Sequence, residues 1–135
     1  ILFSNDYELG LLKAKTGWTA AQIAEQVRLR VTTHGANGIE IEHRDGSRFR
    51  VPVVPEHGKV DPTGVGDGFR GGFLAGRAAG LPMQRCAELG SLMATMVLET
   101  VGTQEYSFDA AEAEARLKDA YGDDAAREIS DAVGW

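Results

Sequence analysis

Asp61-Pro62-Thr63-Gly64-Val65-Gly66-Asp67-Gly68-Phe69-Arg70-Gly71-Gly72-Phe73 is a glycine-rich turn that runs directly into a helical pattern. The first N–H groups of such a helix have no internal acceptors and point out of its end. Together with the helix dipole they form a site for an anion. Gly64 and Gly66 let the backbone approach that anion with no side chain in the way. No Gly-Lys-Ser/Thr follows, so this is not the nucleotide loop built around a lysine. Positive charge for phosphate chemistry must then come from backbone dipoles and a metal. Asp67 places a carboxylate at the mouth of the site. It is either an N-terminal helix residue favoured by the dipole or a general base beside the transferring group. Asp61 and Thr63 either shape the turn or offer oxygens to a cation.

Outward from this turn, strands alternate with helices. Ile1-Leu2-Phe3 reads as a buried strand. Ser4-Asn5-Asp6 offers cap chemistry for a helix from about Tyr7, with Leu9, Leu11 and Leu12 as its apolar face and Gly17 as its stop. Thr19 caps a second helix carrying Ala20, Ile23, Ala24 and Val27. Residues 28–33 return as a strand. Residues 38–43 and 48–54 alternate apolar and polar side chains around Asp45-Gly46, the signature of a hairpin. A loop over 55–64 precedes a helix over about 66–79, which Gly80-Leu81-Pro82 breaks. Residues 83–100 predict a largely apolar, buried helix, and residues 102–108 a loop. Asp109 caps a last helical region running through Leu117 and, past Gly122, to Val133. The pattern is α/β with a mainly parallel sheet flanked by helices and a β-hairpin at about 38–54. No linker long enough to divide the chain is evident.

The chain has 135 residues and a formal net charge of −6. That length supports one domain with a hydrophobic core. No Lys/Arg run breaks the acidic balance, which argues against a nucleic acid polymer as partner. Eight of the 17 glycines lie between Gly58 and Gly80, marking where the backbone does something unusual. The single cysteine, Cys86, reads as a small buried hydrophobe and suits a reducing cytoplasm. No apolar run has membrane-spanning length. The opening Ile1-Leu2-Phe3-Ser4 has no initiator Met and reads as a strand entered part-way, so further chain is expected before it.

Asp61-x-Thr63-Gly64-x-Gly66-Asp67 resembles the second signature of the ribokinase (PfkB) carbohydrate kinase family, Asp-Thr-x-Gly-Ala-Gly-Asp. Pro62 replaces a Thr and Val65 an Ala, at positions that contribute mainly backbone. Gly68 stands where a larger residue is usual, which should loosen the helix start. The resemblance implies a ribokinase-like fold and ATP as co-substrate. It implies Asp67 as catalytic base, with the N–H groups of Gly64, Val65, Gly66 and Asp67 as the hole for the γ-phosphate. Asp61 and Thr63 match positions that hold a monovalent cation, K⁺, in some relatives. Asn5-Asp6-Tyr7-Glu8 resembles the family's Asn-x-x-Glu, which implies that Asn5 and Glu8 place Mg²⁺ through water; by itself the segment is an ordinary solvated helix start. Thr33-His34-Gly35-Ala36-Asn37-Gly38 resembles Thr-x-Gly-x-x-Gly, implying that Thr33, Gly35 and Gly38 lie by the nucleotide; by itself it is an ordinary turn. The loop at 102–104 borders the cation and nucleotide site in relatives, which brings in Gly102.

Residues 32–38, the loop into Asp61, and the segments 90–92 and 99–105 look like an adenosine kinase subgroup found in actinobacteria. The implied reaction is adenosine plus ATP to AMP plus ADP, a purine-salvage step. A sugar acceptor, or ATP binding without catalysis, remain the other readings. The resemblance covers a C-terminal nucleotide-binding half. The acceptor pocket, a Gly-Gly-Asn segment and a lid belong to an N-terminal half not present in these residues. It also allows a homodimer of the full-length protein. His34, His43 and His57 lack metal-ligand spacing. Trp18 and Trp135 read as packing residues, Gly71, Gly72 and Gly76 as close-packing positions, and Arg70 as a surface charge or a phosphate contact.

Overall fold

The structure, a computed structural model, describes residues 1–102 and 107–135. It comprises two compact units, residues 1–52 and 53–135, contiguous in sequence.

The first unit is a sheet of four strands in the order β1 (Leu2–Asn5), β2 (Leu29–Thr33), β3 (Ile39–His43) and β4 (Arg48–Val51). Only β1 and β2 are parallel; β2–β3 and β3–β4 are antiparallel. The expected mainly parallel sheet is therefore corrected for this part of the fold. A tight connection and a hairpin join the last three strands, and neither is long enough for a parallel crossover. The alternation is as read. Val31, Ile39, Ile41 and Val51 are buried, while Arg30, Glu40, Glu42 and Arg50 on the other face pair across strands. In the hairpin, Asp45 accepts hydrogen bonds from the Ser47 N–H and hydroxyl at 2.8 and 2.6 Å, and Gly46 adopts φ 85°.

Helices α1 (Asp6–Thr16) and α2 (Ala20–Glu25) make the crossover between β1 and β2. Each begins in a reciprocal capping box, at Asn5/Glu8 and Thr19/Gln22. The expected apolar face of α1 does not form: no residue of α1 is buried, and Leu11 is 45% exposed. Leu9 and Leu11 are two positions apart, on opposite sides of a helix. In α2, Ile23 and Ala24 are buried, but the helix ends before Val27.

The second unit is helical: α3 (Val65–Ala78), α4 (Met83–Leu98), α5 (Ala110–Tyr121) and α6 (Asp123–Val133). Gly122 separates α5 from α6 within the last predicted helical region, and Asp109 caps α5 by accepting the Glu112 N–H at 2.8 Å. α4 is buried on most of its surface, including Cys86, whose thiol is pushed up by burial. α3 and α4 approach closely because both lack side chains where they cross. A Cβ at Gly72 would lie 2.8 Å from the Leu89 carbonyl oxygen, and one at Gly90 would lie 2.8 Å from that of Phe69. Gly68 belongs to the same seam: a Cβ there would come within 3.2 Å of the Met93 oxygen. Its bareness tightens the packing of the helix start, contrary to the loosening expected. Gly71 faces open space and takes no part.

Candidate active site

The turn before α3 is opened by Gly64 in the left-handed region, φ 80°, a conformation that favours glycine. It turns the chain so that the helix starts at Val65. The N–H groups of Gly64, Gly66 and Asp67 donate to no acceptor among the described residues, while that of Val65 reaches the Pro62 oxygen at 3.4 Å. Three of the four expected anion-hole amides are thus unengaged, and the fourth makes a long turn bond. The Asp67 carboxylate is 79% exposed and ion-paired with Arg70 one turn on. Arg70 therefore serves this carboxylate, a role between the surface and phosphate readings. Gly64 and Asp67 lie at a cavity of about 680 Å³ whose other walls include Met93, Val97, Phe108 and Trp135. Trp135 stacks at a tilt on Phe108, ring centres 4.7 Å apart, as a packing residue.

Asp61, Thr63 and Gly102 meet. Asp61 Oδ1 accepts the Thr63 N–H at 2.9 Å, and Oδ2 accepts the Gly102 N–H at 3.3 Å. The Thr63 hydroxyl, the Thr63 N–H and the Gly102 N–H hold the Asp61 carboxyl below its ordinary range. Thr103 and Gln104, which complete the expected loop, lie outside the described residues. The carboxylate of Asp61 and the hydroxyl of Thr63 are oxygen ligands of the kind a hard cation takes.

In the first unit, Asn5 Oδ1 accepts the Glu8 N–H at 2.8 Å and Glu8 Oε2 accepts the Asn5 N–H at 2.9 Å. The pair expected to serve Mg²⁺ is therefore held as a helix cap, with Glu8 Oε1 making no hydrogen bond among the described residues. Thr33 ends β2, and His34 to Gly38 close a single tight turn in which the His34 N–H donates to the Gly38 oxygen at 2.9 Å. Gly38 is required there, since a Cβ would lie 2.6 Å from the Val51 oxygen. His34 Nδ1 lies 2.7 Å from Asp6 Oδ1. No group of three or more His, Cys, Asp or Glu side chains that could hold a metal ion occurs among the described residues.

Residues 1–111 match the pfkB family carbohydrate kinases. The chain belongs to this family. Cytidine kinase of Thermococcus kodakarensis is 41% identical over 109 residues, 76% of this chain and 38% of the relative. A nucleoside kinase of Methanocaldococcus jannaschii is 29% identical over 103 residues, 76% of this chain and 34% of the relative. The structure of Burkholderia thailandensis nucleoside kinase in complex with inosine superposes with TM-score 0.82 at 40% identity, over 89% of this chain and 40% of that one. The fold is therefore ribokinase-like. The chain spans between a third and two-fifths of the length of these relatives.

The pfkB signature accounts for Asp61 to Asp67 but not for what holds it. Ser91, Thr95, Glu99 and Arg116 fasten the segment before Asp61, and sequence reading missed all four. The one available signal was the row of polar positions 91, 95 and 99, four apart, in a stretch whose other residues from 89 to 98 are apolar or glycine.

Proposed function

We propose that this chain carries the phosphate-binding and base-bearing part of an ATP-dependent nucleoside kinase, with adenosine as acceptor. The observation that supports it most is the start of α3, where three unengaged amides and the Asp67 carboxylate share one turn. In this reading Asp67 accepts the proton of the nucleoside 5′-hydroxyl as its oxygen bonds to the γ-phosphorus. The bond from that phosphorus to the ADP oxygen breaks, and ADP leaves. The amides of Gly64, Gly66 and Asp67, with Val65 turned beside them, stabilise the charge spread over the transferred group. Thr33, Gly35 and Gly38 are assigned to the nucleotide by the family motif.

In this reading the chain's residues would serve two ions. Asn5 and Glu8 would hold Mg²⁺ through water, and Asp61, Thr63 and Gly102 would hold K⁺; bound there, such cations neutralise phosphate charge. Nucleoside kinases among the relatives, one of them with inosine bound, support a nucleoside over a sugar. Adenosine in particular rests on the subgroup resemblance, and with it the purine-salvage and cytoplasmic assignments.

In the full-length protein, Asp67→Asn should lower kcat by about 10²-fold or more while ATP binding survives. Near-normal turnover in that variant would refute the assignment. Competition among adenosine, inosine, cytidine and ribose on the same enzyme identifies the acceptor; preference for ribose sinks the nucleoside reading.

A further inference from the structure

Residues 53–61 lead into the anion turn without regular secondary structure, yet they are fastened along α4. At one end the Val54 N–H donates to Ser91 Oγ at 2.8 Å, and Thr95 Oγ1 donates to the Val54 oxygen at 3.1 Å. At the other, the N–H groups of Val60 and Asp61 both donate to the Leu98 oxygen, at 2.9 and 3.1 Å. Between them, the backbone of residues 55–59 has two ties among the described residues. Arg116 Nη2 donates to the Pro55 oxygen at 3.0 Å, and the His57 N–H donates to Glu99 Oε1 at 2.7 Å.

Both ties come from one ion pair. Arg116 Nη1 and Nη2 meet Glu99 Oε2 and Oε1, each at 2.7 Å, fork to fork. The two side chains are 8% and 18% exposed. A pair this sheltered orients more rigidly than a surface bridge. Hydrogen bonds from Arg116 hold the Glu99 carboxyl below its ordinary range against the opposing effect of burial, so it is ionised at neutral pH. Arg116 lies on α5, Glu99 caps the end of α4, and the backbone they grip enters the phosphate-binding turn two residues past Lys59.

We infer that Glu99 and Arg116 are positioning residues for the phosphate-binding turn, gripping residues 55–59 and through them setting where Asp61 to Gly64 enter α3. This rests on the kinase reading above.

The test is the split between kinetic constants in the full-length protein, with nucleoside phosphorylation by ATP as the assay. Glu99→Gln ends the charged fork while keeping an oxygen for the His57 N–H. Arg116→Lys keeps the charge and loses the planar fork. In both, KM for ATP should rise and kcat should fall, lowering kcat/KM for ATP about tenfold, with the acceptor KM within about threefold of wild type. His57→Pro deletes one donor and leaves both members of the ion pair in place; it should raise the ATP KM by a smaller factor while lowering the melting temperature less than the two ion-pair variants do. That behaviour is not expected of an ion pair that only stabilises the fold. An unchanged ATP KM in these variants, or equal rises in both KM values, overturns the inference. If the two ion-pair variants fail to fold, His57→Pro decides alone. Loss of turnover in Asp67→Asn alongside unmoved ATP KM values would remove the clamp and leave the kinase reading. A wild-type protein that transfers no phosphate from ATP would remove both.

Discussion

A carboxylate held by hydrogen-bond donors gives them up when it is protonated, and Asp61 is held by the Thr63 hydroxyl and two backbone N–H groups. Its pKa lies below the ordinary 3.8 in the folded chain. The stabilisation is then fully present above that ordinary value and is lost as pH falls through the lowered folded value. The melting temperature of Asp61→Asn should fall below wild type by a constant amount between about pH 5 and pH 7, and the gap should close in stronger acid. A gap that persists at acidic pH would show that the carboxylate's charge is not what matters there. Asp61 and Thr63 were legible in the sequence because they sit two apart in a recognisable turn. Gly102 was reachable only through the family resemblance, since its bond to Asp61 spans 41 positions. Glu99 and Arg116 were not legible: a surface pair and a buried clamp have the same composition, and only the fold brings the backbone of residues 55–57 between them.

Among the elements, α3 and α4 show where pattern reading stops. Gly71, Gly72 and Gly76 look alike in a sequence, but successive residues on a helix point about 100° apart. Only Gly72 and Gly76 face α4; Gly71 faces open space. Gly72→Ala should destabilise the protein by about 1–3 kcal/mol, since its methyl would press on backbone. Gly71→Ala should stabilise by roughly 0.5–1 kcal/mol through helix propensity. Chemical denaturation of the two variants reads both, and effects of the same sign would contradict the seam. Leu9 and Leu11 of α1 failed for the same angular reason. The hairpin at Asp45-Gly46 succeeded, because a period of two leaves no ambiguity about which side chains share a face.

For the whole molecule, element order was legible and strand direction was not. Strand polarity depends on connection length, and the short links after β2 and β3 permit only antiparallel neighbours. The two-unit division was also unforeseen, since no linker marks it. The relatives are two and a half to three times as long as the matched span. The 135-residue chain by itself should therefore bind ATP, followed by tryptophan fluorescence, yet transfer no phosphate to adenosine. Measurable AMP formation by the bare chain would place acceptor-binding groups within these residues.

Among the described residues, the only strand that pairs with β1 is β2, which makes β1 an edge of the sheet. An edge strand is a template on which an extended peptide can pair. Another strand placed there would lengthen the sheet in an orderly way. Two copies meeting margin to margin would instead start a ribbon, and a concentrated solution would turn cloudy unless that border is covered.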